Sequence, residues 1–183
     1  MLKILIVEDD PQLAAAMSYL IEENGTYQVV GTPDDLASAV SAAESHSPHI
    51  ALVDLNLARG SDGFSVALRL GDMGVTCLFV TAHPPNFPLP ELAIGCLTKP
   101  VTGDELHFAL SWAENRLRGR ERMGSKMPKN LVCYADSAAF PVEHELANSL
   151  TLRLSLMLRI KLHVARKVEE LLEKKRADLR DDD

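Results

Sequence analysis

The chain has 183 residues, of which 46% are hydrophobic, and it carries 19 basic and 26 acidic residues for a net charge of −7. A chain of this length can bury roughly 70% of its unfolded surface, so it can fold without a disulfide or metal framework. Three cysteines without paired spacing argue against a disulfide scaffold or a structural zinc site, and the negative charge argues against broad attraction to DNA or anionic membranes.

The first apolar stretch, 2–7, is too short for a secretory signal and runs directly into three acidic residues. No later stretch approaches the roughly 18 apolar residues of a membrane helix. We therefore expect a soluble, cytoplasmic protein that does not contact the membrane.

Charge divides the chain into two parts. Residues 1–120 hold 7 basic and 15 acidic residues, a net charge of −8, whereas residues 121–183 hold 12 and 11, a net charge of +1. Together with the hydrophobic pattern, this predicts a first domain at 1–120, a linker at 121–140 and a helical extension at 141–183.

Short apolar runs alternate with stretches of helical spacing over the first 120 residues. The runs are 2–7, 27–31, 49–53, 76–80 and 94–97. Because they are apolar throughout rather than in alternation, they are typical of strands covered on both faces. The pattern predicts an α/β fold with a doubly wound, five-stranded parallel sheet.

Polar residues follow these runs, and in such a sheet the carboxyl ends of the strands form the functional crevice. They are Glu8, Asp9 and Asp10 after the first run, Asp54 after the third, Thr81 after the fourth and Lys99 after the fifth. Pro11 also suits the first turn of a helix that opens at Asp10.

This set favours phosphoryl chemistry. Carboxylates as close as Asp9, Asp10 and Asp54 repel one another unless a cation such as Mg²⁺ compensates their charge. Thr81 can donate a hydrogen bond and Lys99 a positive charge to a phosphoryl group. Asp54 stands alone at the end of a central strand and is the candidate nucleophile, while the acidic pair is better placed to hold metal.

Four motifs in this order resemble the receiver domain of two-component response regulators, which has a flavodoxin-like fold. The motifs are Ile6-Val7-Glu8-Asp9-Asp10, Leu52-Val53-Asp54, Val80-Thr81-Ala82 and Leu97-Thr98-Lys99-Pro100. The resemblance implies a non-enzymatic signalling protein that accepts a phosphoryl group on Asp54 from a histidine kinase or phosphotransferase. It further implies that Mg²⁺ is held by Asp9, Asp10, Asp54 and the backbone carbonyl of Asn56, and that Thr81 and Lys99 read the phosphorylated state.

Two features depart from that family. Cys96 stands three residues before Lys99, where the family has a Tyr or Phe ring that reorients on phosphorylation. Four prolines between residues 84 and 90 are incompatible with the family's fourth helix, which we expect to be absent or reduced to a turn at 90–93. This second departure resembles a divergent subgroup of receivers with a loop at that place.

The last third is less regular. The short apolar run 131–134 is compatible with a strand or with packed coil. A period-2 pattern at 150–164 indicates a strand, but the composition favours a long helix over about 141–178. We expect that helix to form a homodimer, with docking on the first domain as the alternative.

Two alternative functions remain open for the extension. His144, followed by Glu145 and Leu146, is similar to the phosphorylated motif of histidine kinase dimerisation helices and would make the chain a phosphotransfer protein. A transcriptional regulator whose extension binds DNA is the other, although no helix-turn-helix signature is present.

Overall fold

In the computed structural model, residues 1–23, 25–57, 61–120 and 127–134 are described, and all of them belong to the unit Met1–Ser137. The predictions of a helix with homodimer contacts over 141–178, and of a role for His144, lie outside the described residues.

A six-stranded sheet forms the centre of the fold. The strands are β1 Leu2–Val7, β2 Tyr27–Gly31, β3 Ile50–Val53, β4 Thr76–Thr81, β5 Gly95–Thr98 and β6 Leu131–Cys133. Their order across the sheet is β2-β1-β3-β4-β5-β6. The helices are α1 Pro11–Glu22, α2 Leu36–His46, α3 Gly63–Asp72 and α4 Gly103–Leu117. Strands β1 to β5 are all parallel, which confirms the predicted doubly wound α/β fold. None of the described helices is long and apolar enough to cross a membrane.

The five predicted parallel strands are all present, and the sheet has a sixth strand in addition, so the run at 131–134 forms a strand rather than packed coil. Strand β6 pairs antiparallel with β5, with Leu97 opposite Leu131 and Gly95 opposite Cys133. This strand falls within 121–140, the segment predicted to be a linker, so the first domain extends beyond residue 120. The physical reason is that β5 would otherwise be an edge strand with unpaired backbone groups, and the apolar run at 131–134 supplies partners for them.

Alternate residues of the strands face opposite helix layers. Ile4, Ile6 and Leu52 share one core with side chains of α1 and α4, while Phe79, on the other face of the sheet, contacts Phe64 of α3 edge to face. Both faces are therefore buried, as the continuous apolar runs predicted.

The connection between β4 and β5 contains no α-helix. It ends in a tight turn, in which the backbone N–H groups of Leu92 and Ala93 both donate to the carbonyl of Leu89 at 3.0 and 3.1 Å. These three side chains are buried. The prediction that the prolines replace a helix with a loop and a short turn is confirmed.

Candidate functional site

The carboxyl ends of β1 and β3 bring Glu8 and Asp54 side by side. Val7 and Val53, the last residues of these strands, are paired in register, and the backbone N–H of Asp54 donates to the carbonyl of Val7 at 2.9 Å. The backbone N–H of Glu8 donates to the carbonyl of Pro33 at 3.1 Å. Both carboxylates are consequently fixed by backbone bonds at the edge of the sheet.

Lys99 reaches across this edge from the end of β5. Its ammonium Nζ donates to Glu8 Oε2 and to Asp54 Oδ2, each at 2.6 Å. Glu8 is 4% exposed and Asp54 is 8% exposed, so the ion pairs are poorly screened by solvent. A single cation thus bridges two buried carboxylates.

The second oxygen of Asp54 accepts a hydrogen bond from the backbone N–H of Asn56 at 3.0 Å. The backbone of Asp54 and Leu55 packs against Gly63 at the start of α3. A Cβ at Gly63 would collide with the carbonyl oxygen of Asp54 and would lie 2.6 Å from the Cα of Leu55. Glycine is therefore required where the first turn of α3 approaches the backbone of Asp54.

Glu8, Asp9 and Asp54 form a group that could hold a metal ion, with one carboxylate oxygen from each lying within 4.8 Å of the others. The structure does not bring Asp10 into this group. Asp10 is exposed and caps α1, and its Oδ1 accepts from the backbone N–H groups of Gln12 and Leu13 at 2.9 and 3.2 Å. The acidic pair at the site is thus Glu8 with Asp9 rather than Asp9 with Asp10, because the chain has already turned into α1 at Asp10.

The electrostatics of Glu8 and Lys99 follow from burial and mutual attraction. Burial raises the pKa of Glu8 above its ordinary value, even though the hydrogen bond and charge of Lys99 act in the opposite direction. Burial alone would lower the pKa of Lys99, but its hydrogen bonds and attraction to Asp54 and Glu8 outweigh this and raise it. Lys99 is therefore held protonated, and a further cation beside Glu8 would favour its ionised form.

Thr81 lies at the same edge, at the end of β4, and is completely buried. Its hydroxyl oxygen accepts a hydrogen bond from the backbone N–H of His83 at 3.3 Å, and the His83 ring pairs with the side-chain amide of Asn56 through Nδ1 and Nδ2 at 3.1 Å. The carbonyl of Thr81 accepts from the backbone N–H of Lys99 at 2.9 Å. The structure therefore places Thr81 and Lys99 on adjacent strand ends.

Cys96 is buried on β5, and an aromatic residue of the β6 segment stands beside it. Tyr134 hydrogen-bonds to the Cys96 thiol, is 3% exposed, and packs edge to face on Phe79 with ring centroids 6.4 Å apart. Burial raises the pKa of Cys96 to about 11, so the thiol is protonated at neutral pH. An aromatic ring thus lies beside position 96, and it comes from a residue 38 positions later in the chain.

Two residues near the site were missed by sequence reasoning. Glu8 was seen among the residues after the first run but was not placed in the metal group. Pro11 was the available signal, because a proline at the first helical position marks Asp10 as the helix cap. Asn130, which contacts the turn carrying Lys99, gave no signal, because it lies outside every recognised motif.

Comparison with known proteins agrees with this geometry. The family model of the response regulator receiver domain matches residues 4–111, more than half of the chain. The phyllosphere-induced regulator PhyR of Methylorubrum extorquens is 38% identical over 87 residues, covering 46% of this chain and 32% of that protein. A putative transcriptional regulator of Pseudomonas aeruginosa is 37% identical over 115 residues, covering 60% of this chain and 55% of that protein. The chain thus matches about a third to a half of the length of these curated relatives.

Solved structures show the same similarity. The signal receiver domain of a modulated diguanylate cyclase from Desulfovibrio desulfuricans G20 is 32% identical, with a TM-score of 0.55, and the match covers 63% of this chain and 97% of that one. The response regulator PhyR from Brucella abortus is 28% identical, with a TM-score of 0.56, and the match covers 64% of this chain and 49% of that one.

Proposed function

The chain belongs to the response regulator receiver domain family, and from this premise we propose that it is a phosphorylation-dependent signalling switch with Asp54 as phosphoacceptor. The observation that carries the proposal is the Asp54 carboxylate, which is buried between the Lys99 ammonium and the backbone N–H of Asn56, beside two further carboxylates. Receiver domains are signalling modules, so the partner proposed for this chain is a phosphoryl donor, a histidine kinase or phosphotransferase.

In the proposed step, a carboxylate oxygen of Asp54 forms a bond to the phosphorus of a phosphohistidine on the donor protein. The bond between phosphorus and the imidazole nitrogen breaks, and its electron pair leaves with the imidazole. Lys99, whose Nζ is 2.6 Å from Asp54 Oδ2, supplies positive charge where negative charge accumulates. The products are an aspartyl phosphate on this chain and an unmodified histidine on the donor.

Mg²⁺ fits the donor set of this site. Glu8, Asp9 and Asp54 are hard oxygen ligands that lie close together, and Mg²⁺ binds through a few such carboxylates while keeping several waters. We propose that Asp9 and Asp54 hold the ion with Glu8 beside them, and that the backbone carbonyl of Asn56 contributes a further oxygen. When bound, the ion supplies positive charge that offsets the repulsion between carboxylates and phosphoryl oxygens.

Thr81 and Lys99 are proposed to respond to the phosphoryl group. The Thr81 hydroxyl is free to donate its proton to a phosphoryl oxygen, because in the hydrogen bond from His83 its oxygen is the acceptor. Lys99 would exchange its bond to Asp54 for a bond to the same group. Because their backbones are joined by a hydrogen bond of 2.9 Å, movement of one residue transmits to the other.

The test is incubation with acetyl phosphate and Mg²⁺, followed by intact-mass measurement. We expect the mass of one added phosphoryl group on the wild-type chain and no addition on Asp54→Asn. Removal of Mg²⁺ with a chelator should prevent labelling. Unchanged labelling of Asp54→Asn would overturn the assignment of the phosphoacceptor.

Asp9→Asn and Asp10→Asn form a matched pair, since they make the same change one residue apart. Asp9→Asn should raise the Mg²⁺ concentration needed for half-maximal labelling by about tenfold or more. Asp10→Asn should leave it unchanged, because asparagine also caps helices well and the side chain lies outside the metal group. The reverse result would show that Asp10, not Asp9, holds the metal ion.

A further inference from the structure

Asn130 contacts the turn that carries Lys99, although it is 31 residues further along the chain. Its side-chain Nδ2 donates to the carbonyl of Thr98 at 3.0 Å and to the carbonyl of Pro100 at 3.4 Å. Its backbone carbonyl accepts from the backbone N–H of Thr98 at 2.8 Å. The two residues on either side of Lys99 are therefore both bonded to one side chain.

The backbone of Lys99 itself is hydrogen-bonded on the opposite side of the turn, toward β4. The backbone N–H of Lys99 donates to the carbonyl of Thr81 on β4. Lys99 is thus held between β4 on one side and Asn130, the residue before β6, on the other. Its ammonium must come within 2.6 Å of both Glu8 and Asp54, and such short charge-assisted bonds are sensitive to displacement of the turn.

Asn130 also lies near the first turn of α4. There the Glu105 carboxylate accepts from the backbone N–H of Thr102 at 2.8 Å and completes the capping box of the helix. The Asn130 amide nitrogen therefore joins the end of β5 to the residue after Lys99, beside the start of α4.

We propose that Asn130 is a positioning residue for Lys99, so that the segment 127–134 is part of the phosphorylation site although it lies beyond the family match. The inference rests on the proposed function for the role of Lys99 in phosphoryl transfer. That Asn130 holds Lys99 in place does not depend on the proposed function. The test therefore has one arm that requires no phosphorylation.

The first arm is a double-mutant cycle on the full chain, with urea unfolding followed through Trp112, the single tryptophan. The four proteins are the wild type, Asn130→Ala, Lys99→Met and the double variant. The quantity compared is the factor by which Asn130→Ala lowers the folding equilibrium constant in each background. If Asn130 positions Lys99, this factor is at least about threefold larger in the wild type than in Lys99→Met. Equal factors in both backgrounds would overturn the proposal.

Val132→Ala is the matched control, because Val132 lies on β6 two residues away and is half exposed. Its effect should be the same in both backgrounds. If Lys99→Met does not fold, Glu8→Gln provides the second background, since it weakens the same ion pair and should also reduce the effect of Asn130→Ala.

The second arm measures the rate of labelling by acetyl phosphate. Asn130→Ala and Asn130→Asp should both be slower by about tenfold or more, because a small displacement of a charge-stabilising group has a large effect on rate. Aspartate keeps the shape of the side chain but cannot donate to the two carbonyls. Wild-type rates in both variants would contradict the proposal. Absence of labelling in the wild type would instead contradict the proposed function, and the role of Asn130 would then be tested by the double-mutant cycle.

Discussion

The carboxylate side of the site and its lysine side are held in place by different kinds of contact. Glu8 and Asp54 directly follow adjacent strands, and backbone bonds at the ends of β1 and β3 fix them. Lys99 stands in a turn after β5 and depends on Asn130, which comes from beyond α4. One side is therefore built from the ends of strands that are adjacent in the sheet, and the other requires a segment distant in sequence.

This difference explains which side the sequence could predict. A strand end is a local feature, and in a parallel sheet all such ends meet at one edge. A contact between residue 130 and residues 98 and 100 arises only when β6 pairs with β5. Changes on the carboxylate side should therefore affect the centre of the fold, and changes near β6 should act on the lysine side alone.

Gly63→Ala should have the largest effect, because it acts on the carboxylate side. The added Cβ would collide with the Asp54 carbonyl, where neither backbone can move without displacing β3 or α3. We expect a loss of about 3 kcal/mol in the free energy of unfolding, measured by urea titration. Gly71→Ala is the control, because a Cβ there meets nothing within 4 Å inside α3, and it should stabilise the protein by about 0.5–1 kcal/mol. Similar effects of the two changes would contradict the proposed close packing at Asp54.

Gly95→Ala should have an intermediate effect, confined to the lysine side. A Cβ at this position would lie 2.6 Å from the carbonyl oxygen of Val132 and 3.1 Å from Cη2 of Trp112. Because β6 is a three-residue edge strand, it can move away, and we expect a loss of about 1–2 kcal/mol rather than collapse of the sheet.

Hydrogen exchange locates the effect of Gly95→Ala. The amide of Tyr134, which donates to the carbonyl of Ile94 at 2.8 Å, should exchange faster, while the amide of Asp54 keeps its protection. Equal loss of protection at both amides would show that the two sides of the site do not behave separately.

Sequence patterns predicted more of this site than of its supports. The apolar runs placed Asp54, Thr81 and Lys99 at one sheet edge, and the prolines at 84–90 predicted the loop before β5. The sequence offered Asp10 as a metal ligand, whereas the structure groups Glu8 with Asp9 and Asp54, because the residue order alone does not show where the strand ends and the helix cap begins. Strand β6 and the ring of Tyr134 beside Cys96 depend on long-range pairing, and a run of four apolar residues does not specify its partner.

The smallest expected effect is that of Glu105→Gln, which probes the first helical turn after Lys99. The hydrogen bonds from the backbone N–H and the hydroxyl of Thr102 lower the pKa of Glu105 from its ordinary value of 4.5, and glutamine keeps the capping geometry without the charge. Because the folded pKa is lowered, the contribution of the charge is fully present above pH 4.5 and is lost as the pH falls through the folded value. The free energies of unfolding of the wild type and Glu105→Gln, measured in urea, should therefore differ slightly at neutral pH and become equal in acid. Glu44→Gln, an exposed change on α2, is the control for general charge effects. A difference that grows as the pH falls would contradict the capping role of Glu105 beside the lysine turn.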